Sequence, residues 1–589
     1  MTRFLLYCLA VFGLLVGITQ PVIATEFGDI SVTATTPEGK LSHGYAEFRV
    51  TVSNRSGTPH IVTLSLPQRT VGSGNTQLRS VSRTVRVEPM GTAKVELFQP
   101  NLYVGSGALG VTIDGEEQLT TVSVYPLNPD YSYSYTYGSG RATPQVLVSQ
   151  AVRDNFQKAA NAVLVTPDGK PATDFVSDGL SPNQWSHYWI SYSRFHGIVM
   201  DSSEFQGLPI EVKTSLQRFV ECGGNLLLLG TPVSPLGLVL GQTEQNGLVT
   251  HYVGFGQWQT LNNLTLDQIT PLQWEKIQDG WFLSHGTFQD TKSVSQANTE
   301  FPVVDALAIP VRGLFVMMLI FVIVIGPVNI FLLSRIKRRI LLLVTVPVLS
   351  LFTCIAISSY AILSEGIRTK NRTEGLTILD ETTRLSATIG LTAFYAPLTP
   401  GGGLHFGYDT ELTPQLGGYS YYSRENSGGG RTIDWSQDQH LASGWITARI
   451  PAHFQVRKAE LRRERLTITP SNSESYNLVN GLGGNIKQVW FADQSGQMFE
   501  SGPVPAGAQG TLKRSGKTAT AQPDTLRTIY TWNWTGNIWN FTQSPEKVLR
   551  PGCYLAWIEA SPFIEEGLTG SVARQQQSVV YGITGGSRP

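Results

Sequence analysis

The sequence predicts a multidomain chain: an N-terminal β-sandwich, an α/β domain, a two-helix transmembrane hairpin and a C-terminal β-rich region. Three observations predict it. Residues 313–334 and 340–363 are apolar runs without a charge, and a basic turn separates them. Strand-like alternation with Gly, Asn and Pro punctuation fills 25–126 and recurs in 364–589. Between these stretches, buried-strand and helical patterns alternate from 144 to 257. Length and composition agree. At ~150 residues per domain, 589 residues suggest about four domains. Charged residues are 15%, against ~25% in a typical soluble protein. The 44 basic and 44 acidic residues cancel, so no net charge draws the chain to nucleic acid. A 41% hydrophobic content excludes a mainly disordered chain and is too low for a polytopic transporter.

The N-terminus reads as a secretory signal peptide over 1–24. Arg3 is its basic start, Phe4 to Ile18 its apolar run, and Val22-Ile23-Ala24 its small-residue cleavage pattern. Cys8 lies inside the apolar run and no lipobox cysteine follows it.

Residues 25–126 alternate as strands. Phe48, Val50 and Val52 precede the Asn54–Gly57 turn, and Val62, Leu64 and Leu66 lead to Pro67. Val85 and Val87, then Val95 and Leu97, flank Pro89-Met90-Gly91, and Val111 and Ile113 run into Asp114-Gly115. The spacing predicts a sandwich, and the pattern resembles the immunoglobulin-like modules of bacterial envelope proteins. Tyr131, Tyr133, Tyr135 and Tyr137 then alternate on one strand face. They read either as an aromatic platform for a glycan or as a linker strand covering a neighbouring domain. Tyr419, Tyr421 and Tyr422 form a similar group in a Gly-rich loop.

The α/β domain is placed over 127–300. Gln145–Val148 is a short apolar strand, and Asp154–Val163 has helical spacing. Gly197–Met200 is a second strand ending at Asp201-Ser202-Ser203. Ile210–Cys222 is an amphipathic helix with Leu216, Phe219 and Val220 on one face, stopped by Gly223-Gly224. Asn225–Gly230 follows as a buried parallel strand. The run from Gly197 to Gly230, with Cys222-Gly-Gly-Asn before the apolar strand, resembles class I glutamine amidotransferase-like domains. Specifically, it is similar to the noncatalytic branch found in uncharacterised bacterial membrane-anchored envelope proteins. His251-Tyr-Val-Gly-Phe-Gly-Gln257 and the Gly326-Pro327-Val328-Asn329 membrane segment carry the rest of the resemblance. It covers about 250 residues.

Each apolar run exceeds the ~20 residues that span a bilayer core. Arg335, Lys337, Arg338 and Arg339 between them are too costly to bury in hydrocarbon. A short basic loop between two spans belongs in the cytoplasm. The expected topology is therefore a two-pass protein of the bacterial inner membrane, with helices at 313–334 and 340–363 and a cytoplasmic loop at 335–339. Both flanks, 25–312 and 364–589, are extracytoplasmic, in agreement with the signal peptide. Pro327, next to Gly326, predicts a kink, and Asn329 needs a partner, read as packing between the two helices. Pro347 predicts a second kink. Trp445–Ile450, Val489–Ala492 and Tyr554–Ile558 read as strands of the C-terminal region.

A working amidotransferase needs a Cys nucleophile on a strand-to-helix elbow with His and an acidic partner. Here the elbow holds Asp201, Ser202 and Ser203, while Cys222 lies at a helix end. His187, His196 and His251 share the domain without metal-ligand spacing, so no metal or other cofactor is expected. Cys222 and Cys553 fall in different domains, and a disulfide between them has no geometric support. The resemblance and the missing nucleophile together imply a noncatalytic binding or scaffold component, an accessory subunit with an envelope or membrane-protein partner. The alternatives are a hydrolase at the Asp201–Glu204 edge, pairing Ser202 or Ser203 with His251, and a glycan-binding protein using the tyrosine rows. The candidate pocket is Asp201, Ser202, Ser203, Glu204 and His251.

Overall fold

The computed structural model describes residues 24–585 apart from 36–37, 68–76, 105–107, 125–126, 128–142, 167–168, 170, 262–265, 289–291, 305–310, 337–338, 366–367, 417–429, 473, 529–541 and 571. Residues 1–23 of the expected signal peptide and both tyrosine groups fall outside the described residues. The chain is multidomain, rich in β-sheet, and carries two apolar helices long enough to cross a membrane.

The first region supplies β1 (Thr25–Phe27), β2 (Ile30–Thr35), β3 (Tyr45–Asn54), β4 (His60–Leu66), β5 (Ser80–Val87), β6 (Thr92–Pro100), β7 (Gly110–Ile113) and β8 (Glu116–Glu117). The alternation read from the sequence is the burial pattern: Phe48, Val50, Val52, Val62 and Leu64 are all within the core. One sheet has the order β1-β2-β3-β6. The facing sheet does not close within 25–126, because strands from beyond the hairpin complete it, as described below.

The α/β region holds β9 (Gln145–Val148), α1 (Arg153–Val163), β10 (Asp174–Val176), β11 (Gly197–Asp201), α2 (Ser202–Gly207), α3 (Ile210–Glu221) and β12 (Asn225–Leu229). The hairpin β13 (Val239–Gln245) and β14 (Leu248–Val253), then β15 (Gly256–Leu261), α4 (Pro271–Phe288) and α5 (Val294–Glu300) follow. The sheet order is β10-β9-β11-β12-β15-β14-β13, with the first five strands mutually parallel. β12 is buried along its whole length, as its unbroken apolar run predicted. α3 buries Val212, Leu216, Phe219 and Val220. It stops where expected: Gly223 N–H bonds Val220 O (2.9 Å) and Gly224 N–H bonds Phe219 O (2.9 Å), the Schellman pattern. Gly223 has φ +105°, and a Cβ on Gly224 would sit 2.3 Å from the Phe219 ring.

The hairpin is α6 (Val311–Ile323), a π-helical turn (Val324–Val328), α7 (Asn329–Arg335) and α8 (Leu342–Glu365). Pro327 lies inside the π-turn, where its missing N–H and ring displace the normal ladder. Asn329 is buried and its Nδ2 donates to Thr345 Oγ1 at 3.0 Å, so the polar residue is satisfied by the other helix. Gly313 lets Tyr360 approach; a Cβ there would overlap its ring. A Cβ on Gly326 would meet open space. Arg335 is exposed at the end of α7 and Arg339 opens a 3-10 turn, Arg339–Leu341. Lys337 and Arg338 lie outside the described residues.

The last region contains β16 (Thr369–Asp380), β17 (Leu385–Tyr395), β18 (Leu404–Phe406), β19 (Thr410–Pro414), β20 (Thr432–Asp434), β21 (Gln439–Ser443), β22 (Ala452–Leu461), β23 (Arg465–Asn472) and β24 (Ser475–Gly481). β25 (Ile486–Ala492), β26 (Gln497–Ser501), β27 (Gln509–Thr518), α9 (Thr525–Thr528), β28 (Cys553–Ile558) and β29 (Val572–Ile583) complete it. Eleven of these strands form one sheet, β19-β22-β17-β16-β29-β28-β25-β26-β27-β24-β23. The other three join the first region. The sheet order β18-β21-β20-β5-β4-β7-β8 spans both sides of the hairpin in sequence. Its seam is a parallel pairing, Thr432↔Ser80, Ile433↔Val81 and Asp434↔Ser82. Trp435 then fills the sandwich, fully buried against Tyr45 and Phe98, with Nε1 donating to Phe98 O at 3.1 Å.

Polar bonds tie the three regions together. Arg49 bridges Glu47 (2.8 Å) and Asp178 (3.0 Å), and Ser186 Oγ donates to Glu47 at 2.7 Å. Arg457 pairs with Glu411 at 2.5 Å and donates to Cys222 O at 3.1 Å. Arg527 reaches into the α/β region to Asn225 Oδ1 and Gly280 O, both 2.9 Å.

Candidate functional site

In an open α/β sheet, ligands sit outside the carboxyl ends of strands where the strand order reverses. The chain here runs from β9 outward to β10, then crosses to β11 on the other side of β9. The reversal therefore lies between β9 and β11. Their carboxyl ends carry Ser149 and the Asp201–Glu204 turn, so four of the five candidate residues read from the sequence, Asp201, Ser202, Ser203 and Glu204, stand at the switch point.

The turn is built by a capping box. Asp201 accepts from Ser203 N (2.7 Å) and Ser203 Oγ (2.5 Å), and Glu204 reaches back to Asp201 N at 3.4 Å. Ser149 Oγ donates to Glu204 Oε2 at 2.6 Å, joining the two strand ends across the switch. Ser202 is almost wholly buried, and its Oγ has no partner among the described residues. Gly230, at φ +109°, leaves room above it: a Cβ there would lie 3.8 Å from Ser202 Oγ and 3.9 Å from Asp201 Oδ2.

Asp201, Ser203 and Glu204 are thus gathered in one turn, and His251 is not. His251 lies on β14, opposite Trp258, which is level with Leu226 and Ile198. That is three strands across and three residues down from Asp201, or about 14 Å by about 10 Å at ordinary strand spacing and rise. Half-burial holds its imidazole below the usual histidine range. His196 lies at the opposite end of the sheet, its Nδ1 accepting from Gln145 N at 2.9 Å. His187 packs at a tilt against the Tyr188 ring, centroids 4.2 Å apart. A Ser202–His251 hydrolase pair does not form in this arrangement, because the hairpin β13–β14 carries the histidine to the far side of β15. Ser203 Oγ donates to the carboxylate of its own cap, Asp201, rather than to a histidine.

Cys222 caps α3 inside the core. Burial pushes its thiol well above the ordinary range, which disfavours the nucleophilic thiolate. Cys553 is also free and buried. Among the described residues, no three His, Cys, Asp or Glu side chains are arranged to hold a metal ion.

Sequence reasoning found the Asp201–Glu204 turn but missed Ser149 and Gly230. Only strand order reveals that β9 and β11 are neighbours, and a short apolar strand carries no signal of its position in a sheet.

No family model and no curated protein matches the chain. Among solved structures, the yeast delta-COP-I mu-homology domain covers 36% of this chain and 95% of its own, at 6% identity and a TM-score of 0.18. The same domain complexed with the Dsl1 WxWxV peptide gives 36%, 96%, 6% and 0.16. The exo-chitosanase CsxA of Amycolatopsis orientalis covers 34% of this chain and 23% of its own, at 10% identity and a TM-score of 0.11. Likenesses this remote carry no argument about fold or function.

Proposed function

We propose that this protein is a membrane-anchored scaffold of the bacterial envelope: a noncatalytic binding component, held by its hairpin in the inner membrane and serving as an accessory subunit of a membrane complex. The observation that carries this reading is the composite sheet. Strands 60–117 and 404–443 hydrogen-bond in one sheet, although both apolar helices lie between them in sequence. If those helices cross a bilayer, both flanks must be on one side of it, and the basic turn on the other. The charge rule independently assigns that turn to the cytoplasm. The body is thereby one interlocked unit, which suits presentation of surfaces to a partner rather than a hinged catalytic cycle.

Within it, the first region is read as an immunoglobulin-like sandwich and the second as a noncatalytic amidotransferase-like module, with the switch-point crevice as its binding edge. The test has two parts. Protease added to intact spheroplasts should digest both 25–312 and 364–589, and a reporter fused at the C-terminus should be active only outside the cytoplasm. Crosslinking in cells before detergent extraction should then capture a stoichiometric membrane-protein partner. Protection of either flank ends the topology, and a protein recovered only as itself ends the accessory-subunit reading.

A further inference from the structure

The described residues that flank the hairpin on either side lie at one end of the eleven-stranded sheet. β16 begins at Thr369, four positions after α8 ends at Glu365, a reach of at most roughly 14 Å for extended chain. The segment leading into α6 docks at the same end. Phe301 O accepts from His453 Nε2 (3.0 Å), and Pro302 O accepts from Arg372 Nη1 (2.8 Å). Phe301 and Val303 pack on Ala393 and Tyr395. Register places these contacts together: Lys370 is opposite Tyr395, and Phe394 is opposite Ala452.

Two loops leave the sheet from this end, 396–403 after β17 and 444–451 before β22; the second holds Trp445–Ile450, whose alternation predicted a strand and which is bends and turn instead. They are bonded to each other: Arg449 N–H donates to Ala396 O (2.8 Å) and Ala448 N–H to Thr399 Oγ1 (3.2 Å). Each carries an exposed aliphatic residue, Leu398 at 56% and Ile450 at 48% exposure. Arg449 and Arg368 are exposed at the same end. A lone exposed aliphatic residue needs no explanation. Two on bonded loops, flanked by cations at the end where both membrane helices attach, form the amphipathic pattern that seats in a bilayer interface, with alkyl groups below the headgroups and cations among the phosphates.

We propose that Leu398 and Ile450 are a second membrane contact, inserted into the outer headgroup layer of the same bilayer, so that the body rests on the membrane at a fixed tilt instead of swinging from the hairpin. The proposal rests on the membrane-anchored reading above. Its partner is a lipid surface containing anionic phospholipid.

The test uses the full chain with Cys8→Ser and Cys354→Ser, which leaves only the buried Cys222 and Cys553. Single variants Leu398→Cys, Ile450→Cys, Met90→Cys and Phe352→Cys are labelled with a polarity-sensitive fluorophore. Each is reconstituted in phosphatidylethanolamine–phosphatidylglycerol bilayers containing a nitroxide lipid, headgroup or shallow-chain for 90, 398 and 450 and deep-chain for 352, which lies mid-way along α8. Met90 is the control, exposed at the far end of the composite sheet beyond Val87, whereas the β21 end leading to 444–451 is level with Ser80. Labels at 398 and 450 are expected to be quenched at least roughly twofold more than the label at 90, as interfacial burial requires. If 352 is quenched while 398 and 450 behave like 90, this proposal is overturned and the anchor stands. If 352 is also unquenched, both fall.

Discussion

The α/β sheet and the composite sheet each have seven strands, and they are assembled in opposite ways. All strands of the first come from one stretch, 145–261, through short connections. The second takes four strands from 60–117 and three from 404–443, and a bond such as Thr84 N to Ser436 Oγ joins residues 352 positions apart. Loop-closure entropy rises only logarithmically with length, so the distant seam is not much more expensive at equilibrium. It is slower to form, because non-local pairing must wait for distant chain. Until 432–434 arrives, β5 is an open sheet edge, which favours unwanted pairing. The first region's facing sheet is therefore finished by residues that follow the hairpin, whereas every strand of the α/β sheet is made before the hairpin exists.

The hardest blow to this contrast is Trp435→Ala. The indole is fully buried, T-shaped to Tyr45 and Phe98 and stacked on Tyr408. Its loss should cost about 4 kcal/mol, the usual range for a large aromatic truncated in a core. The damage should appear far away in sequence. Limited proteolysis with mass-spectrometric mapping is expected to cut first within 25–117, with 145–261 still resistant. Cleavage spread evenly over both would show that the two sheets do not differ as units.

The same contrast explains what could be read from sequence. Val50, Val62 and Val111 alternate because each strand has one buried face, and that signal is local. Gly223-Gly224 stopped α3 through backbone bonds to residues three and five positions away, again local. The two apolar helices were legible because a charge-free run of that length is a local signal. What pairs with what was not legible. Ile433 is a lone apolar residue between Thr432 and Asp434, and nothing nearby marks it as the neighbour of Val81. At the candidate site, Asp201 and Glu204 were visible as a turn, but Ser149 joined them only through strand order. His251 was drawn in by its motif, and the intervening β15 keeps it out.

A smaller effect probes the joint between the α/β region and the eleven-stranded sheet, where Glu221 lies in the field of Asp380 on β16. Glu221, the last residue of α3, is fully buried, with Gln217 Nε2 donating to one oxygen at 2.9 Å. Burial pushes its carboxyl up to about 7. The folded value lies above the unfolded one, so the folded state holds this proton more tightly. Stability from this group is therefore fullest at acid pH and declines as pH rises through roughly 4.5 to 7, the unfolded and folded values. Glu221→Gln keeps the shape and cannot ionise. It should be close to wild type at about pH 5 and more stable by up to about 3 kcal/mol at about pH 8, measured by urea unfolding in detergent. A variant that tracks the wild type at both values would mean that water reaches the carboxylate and that the joint is looser than its packing implies.

The smallest effect is the most local. Asp201→Ala removes the cap of α2, leaving Ser203 N without its acceptor, while Ser149 still holds Glu204. Losing such a cap costs about 1 kcal/mol. Hydrogen exchange should quicken at Ser203, Glu204 and Phe205 and stay unchanged at Val81 and Ile433, on the composite seam. Among the described residues the cap and the seam share no hydrogen-bond partner, and separated sites perturb stability independently. If the seam amides also exchange faster, a loss of one kilocalorie at the switch point is being transmitted through Glu47, Arg49 and Asp178, and the two sheets open together despite their different assembly.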